Sequence, residues 1–268
     1  MFYMEFLDNI RNGNLEAVKE FCSKYDKISL NKNQSYVCGA TGLFPLPLIV
    51  AFQHNRLAIA RYLMRHGAKL DVLCQKTNRT PREFMPPPGV YEELNRQLFK
   101  ACLARKSSKI RSMLEAGADA NFVIPHSFDA QHCYDDMEGM TPLMVYLDCS
   151  KAYYDKEVEH MLPTVQCFLD YGADINHIAV EHMLEPGHEN WKYQWSPLSY
   201  SNFQEGTILM EYLLKHGADP NLIRADDGGS FLDSVSMDYD VAEMEVITDA
   251  KINLLKRYGA KSAWAGEI

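Results

Sequence analysis

Two groups of side chains in this sequence have the types needed to hold a metal: His126, His132, Cys133 and Asp135, then His177, His182 and His188. Imidazole and thiolate are the usual zinc ligands, but a zinc site draws on closely spaced ligand pairs, and neither group has that spacing. Glu181-His182 is not the helical HExxH arrangement of a metalloprotease. Nucleophiles fare no better. Cys102 and Cys167 fall at apolar helix positions, and no serine stands in a G-x-S-x-G elbow. Asp227-Gly228-Gly229-Ser230 lacks the Gly-Lys-Ser/Thr continuation of a phosphate loop and reads as a turn into a helix cap at Ser230. The expectation is no catalytic residue, no metal and no cofactor.

What remains is the chemistry of recognition. Trp191-Lys192-Tyr193-Gln194-Trp195 concentrates rings that bring large buried area to an interface at low entropic cost. Trp195, beside the cap at Ser196, is the ring expected to pack inward. Carboxylates gather at Asp129, Asp135, Asp136 and Glu138. They gather again at Asp226, Asp227, Asp233, Asp238, Asp240, Glu243, Glu245 and Asp249, a stretch without Lys or Arg. Such a surface either steers a basic partner or forms the solvated outer face of a terminal element. The net charge of −9 repels phosphate backbones, so the expected partner is a protein with a basic surface, not nucleic acid.

The elements that carry these residues are legible as repeats. Arg65-His66-Gly67-Ala68-Lys69 recurs as Glu115-Ala116-Gly117-Ala118-Asp119, Asp170-Tyr171-Gly172-Ala173-Asp174, Lys215-His216-Gly217-Ala218-Asp219 and Arg257-Tyr258-Gly259-Ala260-Lys261. Each copy follows an amphipathic run with helical spacing, and glycine supplies the left-handed backbone that ends a helix at least cost. Asp119-Ala120-Asn121, Asp174-Ile175-Asn176 and Asp219-Pro220-Asn221 suit the turn that opens a hairpin-like loop. A shorter helix precedes each long one. Thr141-Pro142-Leu143 and Ser196-Pro197-Leu198 predict a hydroxyl N-cap with proline at the first helical position. Leu46-Pro47 keeps the proline without the hydroxyl, and Ser230-Phe231 keeps the hydroxyl without the proline.

This order of Thr-Pro-Leu, short helix, turn, long helix and Gly-Ala-Asp-x-Asn resembles the ankyrin repeat. Pro47 to Gly67 and Pro197 to Gly217 both span 20 residues. Leu98 to Gly117 is a degenerate copy, and Asn12-Gly13-Asn14-Leu15 looks like the inter-helix turn of a capping repeat. The resemblance implies an all-α solenoid of about six helix–turn–helix units. Over 1–268 it implies one domain: an N-terminal cap over 1–40, internal repeats over 41–225 and a C-terminal cap over 226–268. The glycine spacings of 50, 55, 45 and 42 exceed the repeat's usual length of about 33. Residues between Asp148 and Leu162 are expected to enlarge one helix pair, and Met237 to Asp249 another. Three long connections are expected to project as fingers: Gln75 to Glu92, stiffened by Pro86-Pro87-Pro88-Gly89, then Phe122 to Gly139 and Ile178 to Tyr193.

The resemblance implies a non-catalytic module that binds a partner protein through its fingers and concave face. Phe84, Tyr91, Phe128, His132, Tyr134, Asp135, Asp136, Trp191 and Tyr193 are the expected contacts. Its sharper form is an acidic inhibitor or immunity protein of a basic toxin or enzyme. The alternatives are a self-associating architectural protein and an enzyme with a metal site in the inserted loops. No stretch approaches the ~20 apolar residues of a membrane span. Met1-Phe2-Tyr3-Met4-Glu5 lacks a basic leader, and the seven scattered cysteines form no CxxC pair, so a reduced, cytoplasmic setting is expected.

Overall fold

The computed structural model describes residues 2–25, 29–33, 35–36, 42–125, 137–150, 155–182, 192–222, 229–237 and 245–263. Helices come in successive pairs: α1 (Phe2–Asn12) with α2 (Leu15–Lys24), α3 (Pro47–Gln53) with α4 (Leu57–Arg65), and α5 (Pro88–Leu103) with α6 (Ser107–Glu115). Then come α7 (Pro142–Ser150) with α8 (Asp155–Asp170), a 3-10 helix (Ser199–Phe203) with α9 (Ile208–Lys215), and α10 (Phe231–Met237) with α11 (Glu245–Arg257). The chain folds as two compact units, Met1–Leu98 with Arg111–Asp119, and Phe99–Ile110 with Ala120–Ile268. In the first unit α1 packs on α3 and α2 on α4; in the second α8 packs on α9 and α7 on the 3-10 helix. Within each unit these pairs stack first helix on first and second on second, as repeats that cannot bury their apolar faces alone must do. The buried residues follow that logic: Phe6, Leu7 and Ile10 on α1, Leu48 and Ile49 on α3, Leu143 to Leu147 on α7, and Leu213 and Leu214 on α9.

The recurring glycines end the second helices as expected. Gly67, Gly117, Gly172, Gly217 and Gly259 all have φ between +78° and +99°. The following alanine N–H reaches back to the carbonyl five residues earlier, from Ala68 to Leu63 and from Ala218 to Leu213, for example. That is the Schellman closure, which satisfies carbonyls a helix end would otherwise leave open. His66 and His216 each donate from Nδ1 to the carbonyl of Tyr62 and Tyr212, at 2.8 Å, adding a further partner in the last turn.

The asparagine that follows the Gly117, Gly172 and Gly217 turns does more than open a loop. Asn121 donates from Nδ2 to Gly172 O at 2.8 Å and accepts from Asp174 N at 2.6 Å, so one carboxamide grips the glycine turn of the next repeat. Asn176 holds Gly217 and Asp219 in the same way, and Asn221 holds Gly259 and Lys261. Asn31 performs this role on Gly67 and Lys69. At the Gly117 turn the two halves are split. Asn95 of α5 accepts from Asp119 N at 2.8 Å, while Arg61 of α4 donates from Nε to Gly117 O at 2.5 Å.

Several expectations need correction. Between Gln75 and Glu92 there is little projection: Cys74 and Arg79 close a tight loop, Thr80 and Glu83 form a capping box, and Pro81–Phe84 is a 3-10 helix. Pro88 then starts α5, because proline is pre-set for a first helical turn and its missing N–H would have no partner there. Ser196-Pro197 leads into a 3-10 helix and not an α-helix. Thr141 precedes α7, yet its buried Oγ1 has no hydrogen-bond partner among the described residues. Ser230 caps α10 as a capping box in which Asp233 replaces the usual Glu, and Asp233 is only 5 % exposed. This carboxylate is therefore a buried cap and not part of an acidic exterior. The extra residues before Leu162 appear as added turns of α8, which has 16 residues where α4 and α6 have nine.

Candidate partner-binding surface

Two loop bases in the second unit are closed by backbone hydrogen bonds. In one, Ile124 N donates to Met140 O at 3.1 Å and Gly139 N to Ile124 O at 2.9 Å. In the other, β3 (Ala179–His182) pairs with β4 (Lys192–Trp195), with Ala179 opposite Trp195 and Glu181 opposite Tyr193. His177 ties them together: its Nε2 donates to Gly139 O at 2.8 Å, the carbonyl being able only to accept. Gly139, at φ +81°, lies close enough that an added Cβ would stand 3.7 Å from Ala179 Cβ. A third base, β1 (Ser35–Tyr36) with β2 (Gly42–Leu43), belongs to the first unit. The reading of the residues did not single it out, because no glycine-alanine turn precedes it.

In both segments an exposed aliphatic residue precedes a buried one. Ile124 and Ala179 are buried, whereas their neighbours Val123 and Ile178 are 45 % and 37 % exposed. Both exposed residues stand six positions after a repeat glycine, Gly117 and Gly172. Leu73, six after Gly67 in the other unit, is exposed as well. The asparagine clamps sit two positions before Val123 and Ile178, at Asn121 and Asn176, so these aliphatic residues are presented on braced backbone. This register was legible in the glycine spacing but was passed over.

Trp195 is half-buried, its ring 6.0 Å from Tyr200 and 5.9 Å from Phe203. Phe203 itself is 58 % exposed and was not anticipated. It ends a 3-10 helix, whose 3.0 residues per turn rotate each successive side chain about 20° further than the 3.6 of an α-helix. In the first unit, Phe84 is half-buried against Leu46, Ile49 and Cys74, with the Arg79 guanidinium 4.3 Å from its ring centroid. Tyr91 is half-buried under the Arg61 guanidinium at 4.6 Å, and burial pushes its phenol upward. Arg61 and Arg65 share Asp119, at 3.0 and 2.6 Å; burial lowers the Arg61 pKa while Asp119 opposes that shift. Both rings thus engage the fold. Tyr193 has its backbone in β4, and Phe128, His132, Tyr134, Asp135, Asp136 and Trp191 lie outside the described residues. Among the described residues no group of three or more His, Cys, Asp or Glu is placed to hold a metal, and no helix is long and apolar enough to cross a membrane.

No family model and no curated protein sequence matches the chain. Among solved structures, the chain is similar to an ankyrin repeat domain from Acinetobacter baumannii AYE, at 17% identity and a TM-score of 0.40 over 96% of this chain and 98% of that one. It is also similar to the ankyrin repeat domain of Bcl-3, described as a member of the IkappaB protein family, at 22% identity and a TM-score of 0.39 over 96% of this chain and 86% of that one. Both superpositions are loose, and the type of repeat is read from this chain's own helix pairs, left-handed glycines and asparagine clamps.

Proposed function

We propose that this ankyrin-repeat chain is a non-catalytic protein-interaction module that holds a partner at its hairpin bases and the fingers they carry. The observation behind the reading is the pair of braced segments presenting Val123 and Ile178 to solvent, with Phe203 exposed in the same unit. Aliphatic and aromatic side chains held out on clamped backbone lose little entropy when covered, which favours association. The acidic residues of the second finger, Glu138 among them, extend the reading to a partner with a basic surface. In its sharpest form, the partner is a basic toxin or enzyme that the chain inhibits.

Capture of partners from native lysate tests the module. Val123→Asp with Ile178→Asp should weaken capture by about 100-fold or more, since each buried aliphatic contributes about 1.5–3 kcal/mol. A Trp191→Ala/Tyr193→Ala double variant probes the third finger. If wild type and both variants retain the same proteins equally, the surface is misassigned. The basic-partner form further requires an association rate that falls steeply with salt; a salt-independent rate would remove it.

A further inference from the structure

The added turns of α8 build a cavity. α4 and α6 begin ten residues before their glycines, at Leu57 and Ser107, whereas α8 begins at Asp155, seventeen before Gly172. The extra segment therefore runs through Met161. Lys156, Glu157, His160 and Met161 all belong to it, and with Tyr146 and Ser150 of α7 and Arg105 of the α5–α6 turn they line a cavity of about 440 Å³. That volume falls within the roughly 300–1,000 Å³ of small-ligand sites. The insertion that lengthens this repeat thus also supplies one wall of this open cleft.

The lining is divided by chemistry. Tyr146, Ser150 and Met161 are buried and form a mainly apolar floor. Arg105, Lys156, Glu157 and His160 are exposed at the rim. Arg105 is tethered there, donating from Nη1 to Ser150 O at 3.0 Å, where a cation also complements the C-terminal end of α7. Its other N–H groups, like the Lys156 ammonium, have no partner among the described residues. His160 is held one turn from Lys156 by donation from Nδ1 to the Lys156 carbonyl at 2.7 Å. Two fixed positive charges against the single carboxylate of Glu157 make the rim cationic, in a chain whose net charge is −9. Arg105 also sits at φ +52°, as does Asn55 at φ +52° in the equivalent turn of an earlier repeat. Arginine is an uncommon residue for that backbone region.

We infer that this cavity binds a carboxylate carried on an aromatic or aliphatic stem, the stem lying on Tyr146 and Met161 and the carboxylate at Arg105 and Lys156. A dianion such as phosphate fits less well, because Glu157 opposes a second charge and phosphate has no apolar stem to lay on the floor. A neutral apolar ligand leaves the cationic rim unanswered. The carboxylate has two sources, a free organic acid or the C-terminus of a peptide chain.

Titration of the full chain followed by amide NMR shifts separates these possibilities. The probes are 3-phenylpropionate, 3-phenylpropan-1-ol, inorganic phosphate, and a Gly-Ser-Phe tripeptide as free acid and as amide. The acid should shift the amides of Tyr146, Ser150 and Met161 and bind at least tenfold more tightly than the alcohol or phosphate. Lys156→Gln, at an exposed helical position that leaves the fold intact, should weaken it several-fold, and Arg105→Gln more. If the tripeptide acid binds and its amide does not, the source is a chain terminus; if only 3-phenylpropionate binds, it is a free acid. The inference is overturned if neither acid binds, if alcohol or phosphate binds as well as the acid, or if Lys156→Gln leaves affinity unchanged.

Discussion

Replacing Gly117 with alanine should unfold this protein far more readily than the same change at Gly217, although both glycines end a second helix in nearly the same conformation. Their φ angles are +99° and +94°, so each alanine meets the same left-handed penalty of about 1–2 kcal/mol. The surroundings differ. A Cβ on Gly217 meets nothing within 4 Å, whereas one on Gly117 stands 2.4 Å from Leu57 Cβ and 2.9 Å from Ala58 N and Leu57 C. Those atoms belong to the first turn of α4 and cannot swing aside as a side-chain tip can. Relief requires moving the Gly117 turn, which adds about 1–3 kcal/mol of overpacking. It also loosens the Arg61 bond to Gly117 O and the Asn95 bond to Asp119 N, each contributing about 0.5–1.5 kcal/mol. The expected loss is roughly 3–8 kcal/mol at Gly117 and about 1–2 kcal/mol at Gly217. Differential scanning calorimetry should show melting lowered by about 10 °C or more in the first variant and only a few degrees in the second. Gly67→Ala, with open space around its Cβ, serves as a second reference. Equal losses at all three positions would refute the close approach of α4 to the Gly117 turn.

Two further outcomes follow from named contacts. Asn176→Ala removes the acceptor for Asp219 N and the donor to Gly217 O, so urea unfolding should show a loss of about 1–3 kcal/mol; an unchanged midpoint would deny the clamp an energetic role. Burial raises the Asp233 carboxyl, but donation from Ser262, Ser230 and Ala263 outweighs it and holds the group below its ordinary value. A lowered folded pKa means the cap stabilises above the unfolded value of about 3.9 and that this contribution is lost as pH falls through the folded one. The melting-temperature gap between wild type and Asp233→Asn should accordingly be full at neutral pH and shrink in acid. A gap that stays constant down to strongly acidic pH would contradict the ionised cap.

The repeat units were readable from residue order because their causes are local. Gly67 and its four counterparts are required by helix termination, Pro47 and Pro142 by helix initiation, and the apolar stripes by 3.6-residue spacing. The surface was less readable. Phe84 and Tyr91 carried the right chemistry for a contact, yet the fold draws both rings against its own arginines. Phe203 carried no motif, and its exposure depends on a 3-10 helix that nothing in Ser199-Tyr200-Ser201 announces.

Residue order alone thus determined how many helix pairs form and where each one ends, since those choices are made within one or two helical turns. Only the tertiary structure decided what the asparagines and the insertion are for. Asn121, Asn176 and Asn221 look like loop openers until the next repeat is stacked against them, about 40 to 50 residues later in the chain. Residues 155–161 look like surplus length until α7 and Arg105 are brought alongside to form an open cleft. Both are pairings between distant stretches, and their geometry exists only once the helices have packed.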